Sequence, residues 1–217
     1  MNEKNEKLDL NVDDNAVSQD AATRQRTLWL QMSYHSLAFI SALALWAAAD
    51  SWALVSNLLL ADILLVLASI VFGIVMGQTF HEWGHFIATL KSGAIYSVKP
   101  SPRILFFDFD YINNTKEQFL QMSKGGSAGN YVFIALVLLL IPMDSGGRIM
   151  LLATAIALAV FVAKVEFPVI KRVSSGEETL EVLADHFAGG LESVFRPAIN
   201  TAVIAGLGLW LFLCVFF

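Results

Sequence analysis

Residues 59–90 read LLADILLVLASIVFGIVMGQTFHEWGHFIATL. The first part of this stretch is an apolar run long enough to cross the hydrocarbon core of a bilayer, which takes roughly 20 helical residues. It does not close on a turn. The helical pattern continues through His81, Glu82 and His85 to Leu90, and Ser92-Gly93 supplies the stop signal. A membrane helix that runs on into two histidines and a glutamate sets both questions the chain poses: how many such helices it has, and what the three polar side chains hold.

Outward from this helix the whole chain is apolar. It has 217 residues, of which 56% are hydrophobic and 15% charged, with a mean hydropathy of +0.62. Soluble domains carry about 25% charged residues. The apolar residues fall into five candidate spans, at about 33–54, 57–80, 129–143, 148–168 and 197–217. The expected fold is therefore an all-α polytopic membrane protein of about five transmembrane helices. Asp50 and Asp62 flank the first hairpin, near a water interface. Residues 1–28 read as a disordered acidic tail on the cytoplasmic side, and 29–217 as the membrane-embedded domain. The tail lacks the basic start and apolar centre of a signal peptide, so the first span is expected to stay.

Between the second and third spans, AIYSVKPSPRILFFDFDYI (residues 94–112) alternates bulky apolar with other residues around Pro100 and Pro102. That pattern predicts a short β-like interfacial segment, either an ordered connector or an edge offered to an extended peptide. Orientation follows from the basic residues. Arg24 and Arg26 precede the first span. Lys91, Lys99, Arg103, Lys116 and Lys124 lie between the second and third, and Lys171, Arg172 and Arg196 between the fourth and fifth. The positive-inside rule puts the N-terminus and both long loops in the cytoplasm. The lone cysteine, Cys214, excludes an intrachain disulfide and a cysteine-based metal cluster. With no basic patch, nucleic acid is not an expected partner; the expected partners are the lipid bilayer and a membrane protein or peptide substrate.

The chemistry concentrates in His81-Glu-Trp-Gly-His85. Histidines four apart stack on one face of a helix and can share a metal ion, with zinc a natural match for imidazole nitrogen. Glu82, beside the first ligand, is placed to take a proton from an attacking water and hand it to a leaving amine. Trp83 faces away and is expected to pack. In a chain of this composition the pattern arises by chance about 0.003 times. Ionisable groups at membrane depth are costly and are functional candidates by default. Gln78, Thr79 and Thr89 are candidates to line a polar cavity around the motif.

A zinc site needs a third protein ligand. The preferred one is Glu166, in FVAKVEFPVIKR (residues 161–172). It lies about 27 Å along the fourth span, which descends to the depth reached by His81 on the second. Pro168 removes the donor to the Lys164 carbonyl and loosens the helix beside it. An ion pair of Glu166 with Lys164 or Arg172 is the alternative role, and His35, Asp185 and His186 are the alternative ligands.

These residues resemble the site-2 protease family of intramembrane zinc metalloproteases, over roughly residues 70–180. HEWGH at the end of a span is the specific element. GGSAGN (Gly125–Asn130), opening the next span, is similar to the family's glycine-rich start, with Ser127 where a proline is usual. The family takes its third ligand from a later span, commonly an aspartate before a glycine; here Ser174-Ser175-Gly176 stands at that place. The resemblance implies zinc as cofactor, Glu82 as the catalytic group, and Asn130 near the metal, its amide holding or polarising a bound peptide. Capping of the third span is the other role for Asn130. Gly125 and Gly126 would then allow tight helix packing or a close peptide approach. The expected function is hydrolysis of a peptide bond in a membrane-anchored protein near the cytoplasmic face. The alternative is a non-catalytic metal-binding scaffold for a membrane partner. A metal transporter would carry more ionisable groups within its spans.

Overall fold

The computed structural model describes residues 20–56 and 58–216. Most of the expected acidic tail, residues 1–19, lies outside them. The described chain folds as α1 (Ala21–Ser56), α2 (Leu59–Ser92), β1 (Tyr96–Val98), β2 (Phe107–Phe109), α3 (Lys116–Leu140), α4 (Gly146–Ser174), α5 (Thr179–His186) and α6 (Leu191–Phe216). The helices α1, α2, α3, α4 and α6 are each long and apolar enough to cross a membrane. Their outer faces carry large exposed apolar residues such as Leu59, Leu139 and Val215. In water such a belt would drive aggregation, whereas against acyl chains it costs nothing. The protein is an all-α polytopic membrane protein.

Two helix starts differ from expectation. Helix α1 begins at Ala21, so residues 21–28 belong to it rather than to the tail. The Asp20 carboxylate accepts from the Thr23 backbone N–H and hydroxyl and nucleates the first turn. Helix α3 begins at Lys116, 13 residues before the expected span. Its cap is Thr115, whose hydroxyl accepts from the Gln118 N–H while the Gln118 side chain accepts from the Thr115 N–H. The segment Gly125–Asn130 therefore lies inside α3, and Asn130 is not its cap.

The bundle is organised around α2, which packs on α1, α3 and α4. At one end the core is apolar, with Trp46 stacked on Phe72 and Leu151, Leu152 and Phe133 filled in around them. The Trp46 indole N–H donates to Ser69 within this core. Near the connection between α3 and α4, Asp50 and Arg148 form a largely buried two-pronged ion pair at 2.7 and 2.8 Å, and the exposed Asp144 takes a third guanidinium contact. Replacing Asp50 by Asn would leave a half-paired cation there. A loss of about 3 kcal/mol of stability is expected, read as a lower thermal unfolding midpoint in detergent micelles.

At the other end the expected β-like segment is an antiparallel hairpin, Tyr96 opposite Phe109 and Val98 opposite Phe107. It is anchored from both sides. Phe106 and Val98 pack on Phe86. The Gln31 amide donates to the Lys99 and Ser101 carbonyls and accepts from the Arg103 N–H. Helix α1 thus fixes the loop between the strands, and the hairpin is held against the end of α2 that carries the histidines.

Candidate metal centre

The last turns of α2 bury His81, Glu82 and His85 (5%, 6% and 9% exposed) on the face turned toward α3 and α4. The helices meet here at backbone distance. A side-chain carbon on Gly84 would collide with the Gly125 carbonyl, so the two glycines let α3 approach close enough for its Met122 carbonyl to reach His85. The His85 Nδ1–H donates to the Met122 carbonyl at 2.8 Å. In the neutral ring this turns the Nε2 lone pair inward.

Helix α4 runs unbroken through Pro168 and delivers Glu166. Its Oε1 lies 3.1 Å from His81 Nε2 and 3.2 Å from His85 Nε2, and the two imidazole nitrogens are 2.9 Å apart. Zinc–ligand bonds of 2.0–2.1 Å in a tetrahedron imply ligand–ligand edges of about 3.3 Å, close to this triangle. The donor set fits a cation for a further reason. Oε1 and an inward lone pair are both acceptors, and a single proton bridges only one of the three contacts. Glu166 Oε2 is also buried without a hydrogen-bond partner, which is costly for a carboxylate lacking a positive charge nearby. Among the described residues, His81, His85 and Glu166 are the group whose ligand atoms converge in this way.

Glu166 accordingly pairs with neither Lys164 nor Arg172; the Arg172 guanidinium is engaged by Glu177 and Asp185. The other candidate ligands are held elsewhere. His35 accepts from the Trp83 indole N–H at Nδ1, and its Nε2 faces the Arg103 carbonyl. Asp185 is committed to Arg172. His186, at the end of α5, stacks edge-on against Phe187 and stands outside the converging group.

Gly126 and Asn130 both touch the histidines. A side-chain carbon on Gly126 would stand 2.6 Å from His81 Cε1 and overlap the His85 ring, so only glycine leaves room for both imidazoles. The Asn130 amide lies 3.4 Å from His81 Nδ1. Turned over, it would accept from Nδ1–H and direct the His81 Nε2 lone pair toward Glu166.

Glu82 shares a cavity of about 360 Å³ with the three ligand candidates. Gln78, one turn earlier, donates to Glu82 Oε1 at 2.8 Å and fixes the carboxylate. Thr79 and Thr89, expected to line a polar cavity, instead return their hydroxyls to the Val75 and His85 carbonyls of their own helix. Trp83 packs against Phe86 and Phe106, as its position on the helix implied. Phe107, Asp108 and Tyr111 from the hairpin side and Leu183 and Phe187 from α5 and its end complete the wall, with Lys99 and Asp108 paired at 2.8 Å. The Glu166 side chain keeps 21% of its surface exposed, where it lines this cavity.

The class these features define is a multi-pass membrane protein with a largely buried His-His-Glu group that could hold a metal ion. No family model, curated protein or solved structure matches the chain.

Proposed function

We propose that the protein is an intramembrane metalloprotease, similar to the site-2 proteases, that hydrolyses a peptide bond of a membrane-anchored protein. The observation that carries this reading is the convergence of the His81, His85 and Glu166 ligand atoms within 3.2 Å of one another, in the cavity that also holds Glu82. Each His-Glu-x-x-His residue then has work to do. A zinc ion bound by the triad would supply Lewis acidity to the scissile carbonyl.

The remaining steps belong to the chain itself. The Glu82 carboxylate takes a proton from water as the oxygen attacks the carbonyl carbon. It returns that proton to the departing amine nitrogen as the C–N bond breaks. Gln78 holds Glu82 in place while this occurs. Asn130 and Gly126 are assigned to orienting the imidazoles rather than to direct substrate contact. The cavity walls of Phe107, Tyr111, Leu183 and Phe187 suit a bulky apolar side chain of the substrate. The excess of Lys and Arg around the hairpin and α5 supports a cytoplasmic setting for this end of the bundle and for the N-terminus.

The test is metal removal. The purified protein is reconstituted in vesicles with a panel of single-span fusion proteins bearing a cytoplasmic reporter. Cleavage of at least one is expected, abolished by 1,10-phenanthroline and restored by added zinc. Cleavage that persists after the metal has been stripped would end the metalloprotease reading.

A further inference from the structure

A second groove, of about 520 Å³, opens between α3 and α4. It has an apolar wall and a cationic mouth. Tyr131 and Phe167 form the wall and are 56% and 43% exposed. Lys124 and Lys171 form the mouth, both exposed. Their depths agree. The Lys116 ammonium donates to the Gly176 carbonyl and so fixes the start of α3 level with the end of α4. From those anchors Lys124 lies about 12 Å along one helix and Lys171 about 8 Å along the other. Tyr131 and Phe167 lie deeper on the same two helices.

Three of the acidic residues near this end are already engaged. Glu177 and Asp185 hold Arg172, and Glu178 holds Lys116. Neither Lys124 nor Lys171 has an ion pair among the described residues. Ser127 lines the groove at 8% exposure, and its hydroxyl has no partner. A helical serine ordinarily bonds back to the carbonyl one turn earlier.

We infer that the α3–α4 groove binds an anionic glycerophospholipid. The phosphate sits between the two ammonium groups, the Ser127 hydroxyl turns out of its buried position to donate to a glycerol ester carbonyl, and an acyl chain runs along Tyr131 and Phe167. Two uncompensated lysines at interfacial depth above an apolar slot select charge and chain together, as basic pockets between transmembrane helices do. A zwitterionic lipid meets the same slot without the charge term, and a soluble phosphate meets the lysines without the slot.

The experiment measures dissociation constants of dioctanoyl phosphatidylglycerol, dioctanoyl phosphatidylcholine and chain-free glycerophosphoglycerol for the full-length protein in a neutral detergent. The anionic lipid is expected to bind about tenfold more tightly than either of the others. K124Q/K171Q should bring the anionic and zwitterionic lipids to equal affinity, while the charge-matched K91Q/K164Q keeps the preference. Each single variant, K124Q and K171Q, should lose part of it, which carries the test should the double variant not fold. A preference that survives K124Q/K171Q, or that falls equally in K91Q/K164Q, would overturn the site. So would tight binding of the chain-free headgroup.

Discussion

Glu82→Gln is expected to lower peptide cleavage by about 10³-fold while the protein keeps its metal. The amide is isosteric and can still bond to Gln78, so the cavity retains its shape. What it loses is the ability to accept a proton from water and pass it to the leaving amine. His81, His85 and Glu166 are untouched by the change, so metal content measured by atomic absorption should match wild type. The two readouts separate the possibilities. Wild-type activity in this variant would remove Glu82 from the chemistry. Loss of both activity and metal would show that Glu82 supports the centre rather than acting on the substrate.

Glu166→Ala should have the next largest effect, lowering zinc affinity by about 10²-fold or more. On the proposed reading the carboxylate would provide the third ligand atom, and no other acidic or imidazole group among the described residues converges on the two histidines. Helix α4 should survive the substitution. Its packing comes from contacts such as Ala157 against Gly206, away from the site, and alanine is a strong helix former. Glu166→Asp, one methylene shorter, should restore part of the affinity if reach is what matters. Unchanged zinc stoichiometry in Glu166→Ala would return His186 to consideration as a ligand. It would also detach α4 from the metal chemistry.

Much of the architecture was legible without coordinates. The five apolar runs correspond to α1, α2, α3, α4 and α6, and the stop at Ser92-Gly93 is where α2 ends, Gly93 adopting φ 65°. The alternation around Phe107 and Phe109 did mark strands. The two misplaced helix starts were of one kind. Amphipathic ends of long helices, 21–28 of α1 and 116–128 of α3, are polar enough to resemble tail or loop. What makes them helical is a cap at Asp20 or Thr115 and packing on the bundle, and hydropathy carries neither signal. The same shift moved Gly125–Asn130 from the mouth of a span to its interior, where Gly126 and Asn130 meet the imidazoles.

The sequence by itself determined that His81 and His85 share a helix face with Glu82 beside them, because a spacing of four is set by helical pitch alone. It also determined that this face lies at the end of a membrane helix. Only the tertiary structure decided what completes the centre. His85 meets the Met122 carbonyl across 37 residues of chain and the Glu166 carboxylate across 81. Such contacts depend on how closely glycine-bearing helices approach and how far each descends. Those quantities come from packing the whole bundle, and a backbone carbonyl carries no mark in any residue's identity.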